Sequence, residues 1–248
     1  MLIINADDWG KSKTTTNNCL HCIKNLRVTS TSAMVFMQDS ARASELALEY
    51  NIDVGLHVNF TLPFNGECSN KRIKEYQKCI SAFLLKNKYQ GLIYNPLLKN
   101  KFVYIFKSQL DEFLRLYNKP PAHINGHQHM HLCTNMLFDK IIPFGYKVRR
   151  SFSFFYNEKN IFNRYYRYLV YKWLQKFYLC TDYFFAVCSN SEIEKFIQIL
   201  KIAKTSNVEL MVHPENEADL RFLLSDDYHK LIKEIPKGGF ANLQKELN

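Results

Sequence analysis

The chain has 248 residues, 47% of them hydrophobic, and its 33 Lys and Arg outnumber 23 Asp and Glu to give a formal net charge of +10. This length fits one large α/β domain or two small ones, and the hydrophobic fraction supports a buried core, which excludes a disordered chain. The positive charge favours anionic partners without indicating a fold. No DNA- or RNA-binding motif accompanies it, so nucleic acid is not expected as a partner.

The predicted elements alternate between short strands and longer helices. The strands are Leu2 to Asn5, Thr31 to Phe36, Val54 to Phe60, His123 to His127, Lys147 to Arg150, Tyr183 to Val187 and Val208 to Val212. The helices span about residues 13–26, 39–50, 70–86, 101–118, 134–142, 160–179, 190–203 and 217–233. This alternation favours βα units and a mainly parallel sheet. We therefore predict an α/β fold, a single seven-stranded (β/α) barrel over residues 1–248, although a doubly wound open sheet would show the same order of elements.

One segment, at about residues 62–100, interrupts this pattern. It is polar and is punctuated by Pro63, Gly66, Gly91 and Pro96. We expect it to be an insertion after the third strand, at the end of a barrel where insertions usually shape a substrate pocket.

Cysteine usage and the first residues bear on the compartment. Seven scattered cysteines do not fit a secreted disulfide framework. Cys19 and Cys22 form a C-x-x-C pair within a helical pattern, and we expect two half-buried structural thiols there rather than a redox or zinc site. The N-terminal residues lack signal-peptide features, and no stretch approaches the roughly eighteen apolar residues of a membrane span. A cytoplasmic protein is predicted.

Reactive side chains fall where the predicted strands end. They are Asp7 and Asp8 after the first strand, His57 and Asn59 at the third, the run HINGHQHMH at the fourth, Arg149 and Arg150 at the fifth, and His213 at the last. Because the carboxyl ends of parallel barrel strands open on one face, we expect these side chains to converge. Polar residues are also common at strand ends that form no functional site, because loops begin there. That alternative does not explain why five of the eight histidines lie at or just after strand ends.

Asp and His without Cys form a ligand set for a hydrolytic divalent metal such as zinc, manganese, cobalt or iron, and magnesium tolerates it. One carboxylate can then bind the metal while its neighbour acts as a base, which explains two acids in a row. The alternative is that Asp8 caps the next helix and Asp7 is only solvated.

The fourth strand end carries three closely spaced histidines. His127, His129 and His131 would share one face if the strand continued, and we expect one or two to bind metal while the others orient them or contact substrate. His123 is expected to be structural. His21 and His229 lie in helical segments and are expected to be surface or packing residues.

The stretches INADDWG, VTSTSAMV, GLHVNFT, the H-x-N-G-H-x-H-x-H run and ELMVHP, in this order, resemble the YdjC-like carbohydrate deacetylases, which include chitooligosaccharide and hopanoid-biosynthesis-associated deacetylases. The motifs cover about residues 2–62, 120–150 and 207–214. The resemblance implies a (β/α) barrel related to polysaccharide deacetylases, a divalent metal often assigned as magnesium, and removal of an acetyl group from an N-acetylated sugar.

The same resemblance implies roles for individual residues. Asp8, His57 and His127 would be metal ligands, Asp7 the catalytic base, His213 the general acid, and Arg149 a partner of the substrate or of the base. From their positions at strand ends, we expect His129, Asn59 and Asn125 to support the ligands or contact substrate. Many relatives have Asp where this chain has Asn125, so a supporting carboxylate is expected to be absent.

Residues 152–185 combine aromatic side chains with Arg and Lys. A helix across 162–178 would put Tyr166, Leu169, Val170, Trp173 and Phe177 on one side, which we interpret as a stripe facing the core. The alternative is an interfacial surface that contacts anionic lipid head groups and would suit a lipid-linked sugar.

Other functions stay open at this point. A metal-dependent esterase or phosphoesterase would need cations beside the metal, and only Arg149 and Arg150 are candidates. A non-catalytic carbohydrate- or surface-binding protein would be expected to have lost Asp7 or His213. The expected partner is an N-acetylated carbohydrate, with peripheral contact to an anionic membrane surface and a homodimer as further alternatives.

Overall fold

The computed structural model describes residues 1–68, 70–156, 158–187 and 193–244, in which parallel strands alternate with helices. The strands are β1 (Leu2–Trp9), β2 (Ser30–Ala33), β3 (Val54–Val58), β4 (Ile124–Gly126), β5 (Tyr183–Ala186) and β6 (Val208–Val212). The helices are α1 (Lys13–Lys24), α2 (Ser40–Glu49), α3 (Lys71–Leu84), α4 (Lys99–Tyr117), α5 (Thr134–Phe138), α6 (Ile161–Leu174), α7 (Ile193–Ala203), α8 (Glu217–Leu224) and α9 (Asp226–Ile232). The α/β class is confirmed.

The sheet has the strand order β4-β3-β2-β1-β6-β5. In the described part of the chain it has six strands, so the count of seven is not confirmed, and the barrel stays a prediction. The segment predicted as a strand from Lys147 to Arg150 forms only an isolated bridge between Lys147 and Leu179. The segment pairs with the chain after α6 at this one residue pair only, which is too short to form a strand.

The chain divides into two compact units. The first unit comprises Met1–Asp7, Asn17–Thr31 and Gly145–Asn248, and the second comprises Asp8–Thr16 and Ser32–Phe144. The consecutive residues Asp7 and Asp8 therefore belong to different units. That residues 1–248 form a single domain stays a prediction.

In the first unit, β6 pairs in parallel with both β1 and β5. Ile3 is in register with Glu209, and Asn5 with Met211. Because side chains alternate along a strand, Asn5 and Asp7 project from the same face of the sheet as Glu209 and Met211. This register brings polar side chains from the two strands together on that face.

In the second unit, β3 pairs in parallel with β4, and His57 is in register with Asn125. Gly55 lies beside His123, whose ring would be only 2.2 Å from a Cβ at position 55. The glycine makes room for a fully buried histidine ring, which agrees with the structural role expected for His123.

The region predicted as an insertion contains α3 and two short 3₁₀ turns, Gln90–Leu92 and Pro96–Leu98. The Asn70 side chain accepts hydrogen bonds from the backbone N–H groups of Arg72 and Ile73, which caps the start of α3. Asn70 caps the start of α3, and Pro96 is the first residue of the second 3₁₀ turn, so local signals start regular structure in this polar segment.

Two helical predictions need correction, and a third lies partly outside the described residues. The helix expected over 217–233 is two helices, because Ser225 adopts an extended conformation and caps α9 by accepting from the N–H of Tyr228. The stripe of α6 expected to face the core does so only in part: Val170 is buried, but Tyr166 and Leu169 are exposed. The first residues of the helix expected over 190–203 lie outside the described residues.

Cys19 and Cys22 are fully buried rather than half-buried. Burial raises the pKa of the Cys22 thiol to about 12, so this thiol stays protonated and unreactive at neutral pH. Cys188 lies outside the described residues. Within the described part of the chain, no helix is both long and apolar enough to cross a membrane.

Candidate functional site

The second unit contains a cluster of one carboxylate and two imidazoles: Asp8, His57 and His127. One potential ligand atom from each residue lies within 4.8 Å of the other two. Asp8 Oδ1 is 3.2 Å from His57 Nε2 and 3.1 Å from His127 Nδ1. Ligand atoms that share a tetrahedral ion at bond lengths of about 2.0–2.1 Å are themselves about 3.4 Å apart. The donor types and their spacing therefore fit a divalent metal ion.

Backbone turns at the ends of β1 and β4 set the directions of the Asp8 and His127 side chains. Asp8 has a φ of 67°, in the left-handed region that few residues other than glycine occupy. This conformation breaks the alternation of β1, so Asp8 does not continue the extended pattern of Asp7. At the other strand end β4 stops at Gly126, and Gln128 and His129 follow with φ values of 52° and 59°. His127, His129 and His131 therefore do not line one strand face.

His57 is held by its neighbour in register. His57 Nδ1 is 2.7 Å from Asn125 Oδ1, and Asn125 Nδ2 donates to Ser32 Oγ at 3.1 Å. A carbonyl oxygen accepts only, so this arrangement puts the proton of a neutral His57 on Nδ1. The Nε2 lone pair then faces the Asp8 carboxylate, a pairing of two acceptors that a cation between them would relieve. The amide at position 125 orients the imidazole without adding a negative charge.

The pKa of Asp8 reflects these neighbours. Burial alone would raise it, but the His127 and His57 imidazoles, in the cationic form in which they donate to Asp8, hold the pKa of Asp8 well below its usual range. The Lys11 ammonium lies 3.4 Å from Asp8 Oδ2 and adds a further positive neighbour. Asp8 is thus an ionised, acceptor-only group, as a metal ligand must be.

The first unit contains a buried ion cluster of Asp7, Arg149 and Glu209. Arg149 Nη1 donates to Asp7 Oδ2 at 2.6 Å and Nη2 to Asp7 Oδ1 at 2.8 Å. Its Nε donates to Glu209 Oε1 at 2.6 Å. Asn5 Nδ2 donates to Asp7 Oδ1 at 2.8 Å. A bidentate guanidinium and an amide thus fix the plane of the Asp7 carboxylate.

Burial of Arg149 is complete, and its guanidinium lies 4.8 Å from the ring centroid of Phe184. Burial favours loss of its proton, but the charges of Asp7 and Glu209 outweigh this and raise the pKa of Arg149 above its usual value. The guanidinium is permanently charged and enclosed by its partners.

His213 follows β6 and lies at the edge of this cluster. Its Nε2 is 3.9 Å from Asp7 Oδ2, and its side chain is 36% exposed. The backbone N–H of His213 donates to Asp219 Oδ2 at 3.1 Å, which ties the strand end to α8. His213 is thus a half-buried imidazole that contacts both a buried carboxylate and solvent.

Replacing Arg149 with methionine is expected to lower the free energy of unfolding by about 3–5 kcal/mol, because it leaves two buried carboxylates without their cation. Urea denaturation followed by circular dichroism measures this change. Arg115→Met is the matched control, since Arg115 makes a bidentate pair with Glu112 but its side chain is 66% exposed. That surface pair is expected to contribute at most about 1 kcal/mol. Equal losses in the two variants would contradict the assignment of a buried ion cluster.

The remaining candidate residues lie elsewhere or are engaged in local contacts. The Asn59 side chain accepts from the N–H groups of Thr61 and Leu62 and donates to the carbonyl of Leu62, so it organises the loop after β3. His129 is half-buried and is not part of the three-residue cluster. Arg150 stacks on Tyr171 and donates to backbone carbonyls of Ser151 and Asp182.

Sequence reasoning missed Glu209 and Asn5. Glu209 lies inside β6 rather than at its end, and Asn5, the last residue of the predicted first strand, lies inside the longer β1. A signal for Glu209 was present, since a carboxylate stands in the otherwise apolar strand VELMV. A charge in such a strand has to be paired, and Arg149 is its partner.

Comparison with known proteins adds family information to this geometry. The family model described as YdjC-like protein matches residues 1–234. A chitooligosaccharide deacetylase of Proteus mirabilis (strain HI4320) is 30% identical over 146 residues, which cover 58% of this chain and 53% of the relative. One of Yersinia pestis (strain Pestoides F) is 28% identical over 134 residues, 53% of this chain and 51% of the relative. The matched region thus spans about half the length of these curated relatives.

A solved structure shares the fold over almost the whole chain. It is a protein of Enterococcus faecalis V583 described as a proposed cellobiose-phosphate cleavage protein, with a TM-score of 0.70, 18% identity and coverage of 98% of both chains. At this identity the likeness concerns the fold alone.

Proposed function

Because the chain belongs to the family of YdjC-like proteins, we propose that it is a metal-dependent hydrolase that removes the acetyl group from an N-acetylated carbohydrate and releases acetate. The observation that carries the proposal is the cluster of Asp8, His57 and His127, with the arginine-held carboxylate of Asp7 directly before it in the sequence. The name chitooligosaccharide deacetylase of two relatives supports the substrate class.

The residues that would hold a divalent ion are Asp8, His57 and His127. Such an ion supplies a Lewis acid that polarises the acetamide carbonyl and makes water more acidic. Two imidazoles and a carboxylate suit zinc, manganese or cobalt, whereas magnesium, the ion implied by the family resemblance, more often has oxygen ligands only. Asn125 would keep His57 in the tautomer that presents Nε2.

Asp7 is proposed as the catalytic base. It takes a proton from the water that attacks the acetamide carbon, as the new C–O bond forms. Arg149 and Asn5 hold its carboxylate plane, so the group need not reorganise during the reaction. Of the two roles expected for Arg149, partner of the base fits its complete burial, whereas contact with substrate does not.

His213 is proposed as the general acid. Its imidazolium donates a proton to the sugar nitrogen as the C–N bond breaks, so that acetate and a free amino sugar leave. Partial exposure lets His213 regain its proton from solvent. The phosphoesterase alternative gains no support, because Arg149 and Arg150 are both buried and bonded within the chain.

The experiment is acetate release from N-acetylglucosamine oligomers and lipid-linked N-acetyl sugars. Metal-stripped protein receives magnesium, zinc, manganese or cobalt, each in turn. We expect acetate release that depends on an added ion, with a free amine formed in equal amount. Ester or phosphoester cleavage without amide cleavage, on the same panel of ions, would overturn the proposal.

A further inference from the structure

An aromatic surface lies on α6 and just before it, within the first unit. Its members are Tyr156, Ile161, Phe162, Tyr165, Tyr168 and Leu169, and we call them the α6 aromatic surface. Each is exposed, from 47% for Leu169 to 82% for Phe162. Large apolar side chains exposed together are unusual on a soluble monomer and mark an interaction site.

Helical spacing makes this surface continuous. Ile161, Tyr165 and Tyr168 follow each other at intervals of four and three residues, and Phe162 and Leu169 lie beside them. Val170 and Leu174, on the opposite side, are buried and attach the helix to its unit. Arg164 donates to the carbonyl oxygen of Tyr156 at 2.9 Å, which brings Tyr156 next to the first turn. The helix is thus amphipathic with an apolar side left in solvent.

Positive charge surrounds the aromatic side chains. From Lys159 to Thr181 the sequence contains no Asp or Glu, and its cations are Lys159, Arg164, Arg167, Lys172 and Lys176. In the described part of the chain, none of Lys159, Arg164, Lys172 or Lys176 takes part in a salt bridge. Helices that lie in the head-group layer of a membrane typically combine Tyr and Phe with Lys and Arg side chains that have no salt-bridge partner.

We propose that the α6 aromatic surface docks onto an anionic phospholipid bilayer. The aromatic side chains would enter the boundary between head groups and acyl chains, while Lys172 and Lys176 contact phosphates. A second copy of the chain fits less well, because pairing the same surface with itself would bring two sets of like charges together. The net charge of +10 also favours association with an anionic layer.

Flotation of the full chain with lipid vesicles tests the proposal. At low salt we expect binding to vesicles of phosphatidylcholine mixed with phosphatidylglycerol, and binding weaker by at least about tenfold to phosphatidylcholine alone. High salt is expected to release the protein, because it screens the contacts between cations and head groups.

Two double variants separate the apolar from the charged contribution. Phe162→Ser with Tyr165→Ser, and Lys172→Gln with Lys176→Gln, are each expected to weaken binding by at least about tenfold. The matched controls are Leu97→Ser with Phe138→Ser, which removes equally exposed apolar groups elsewhere, and Lys201→Gln with Lys204→Gln, which changes the net charge equally. Both controls are expected to bind within about twofold of the unchanged chain.

Three results would overturn the proposal. These are no flotation with anionic vesicles at low salt, equal loss of binding in variants and controls, and a dimer in light scattering that Phe162→Ser with Tyr165→Ser dissociates. The last result would make the surface an interface between copies of the chain. Circular dichroism of each variant checks that the fold is retained.

Discussion

Replacing Asp7 with asparagine is expected to lower kcat for acetate release by about 10²–10⁴-fold while the metal stays bound. The amide has nearly the same shape and accepts from Arg149 through its oxygen, but it cannot take a proton from water. Glu209 remains as the partner of Arg149, so the loss of stability should be smaller than for removal of the arginine. Steady-state kinetics and metal analysis by mass spectrometry measure the two effects separately.

The matched control for this variant is Asp39→Asn. Asp39 is also paired with an arginine, since Arg42 donates to its two oxygens at 2.9 and 2.6 Å, but it lies outside both clusters. Its kcat is expected to stay within about twofold of that of the unchanged chain. If Asp7→Asn retains full activity, Asp7 is not the base.

Removing His57 or His127 is expected to weaken metal binding by more than about 100-fold, beyond the effect usual for residues that only support a ligand. Each alanine variant deletes one of the three proposed protein ligands and leaves the Asp8 carboxylate with a single imidazole. Calorimetric titration with zinc or manganese gives the affinity, and the thermal shift that the ion produces should fall in parallel.

Two further variants give an intermediate and an unchanged metal affinity for comparison. Asn125→Ala leaves all three ligands but removes the acceptor on His57 Nδ1, so a loss of about 10–100-fold is expected. His229→Ala removes an exposed histidine of α9 and is expected to leave metal affinity unchanged. If His57→Ala binds the ion as tightly as His229→Ala does, the cluster is not the metal site.

The groups at strand ends could be predicted from sequence because parallel strands send their carboxyl ends in one direction. That rule predicted that Asp8, His57 and His127 converge with the other groups at strand ends, and the family resemblance singled out these three as ligands. The structure brings the three together. The rule says nothing of contacts within the sheet. The pairing of Arg149 with Glu209 and the link from Asn125 to His57 depend on which strands are neighbours and on their register, and no local pattern in one strand contains that information.

Other differences have local causes. A strand was predicted from Lys147 to Arg150 because the residues suit one, but a strand needs a partner, and this segment pairs at a single residue. The helix α6 was interpreted as facing the core because aromatic side chains usually do. Periodicity shows that a helix has two sides without showing which side meets the protein, and here Val170 meets it rather than Leu169.

The left-handed backbone of Asp8 couples local strain to charge. For a residue with a side chain, this conformation costs about 1–2 kcal/mol, a cost that glycine avoids. Gly at position 8 would relieve that strain, but it would also remove the ion pair with Lys11 and the contacts that hold the pKa of Asp8 low, which stabilise the folded chain at neutral pH. Directed evolution for heat resistance therefore has no clear gain from discarding this carboxylate, and the strained turn is expected to persist together with its side chain.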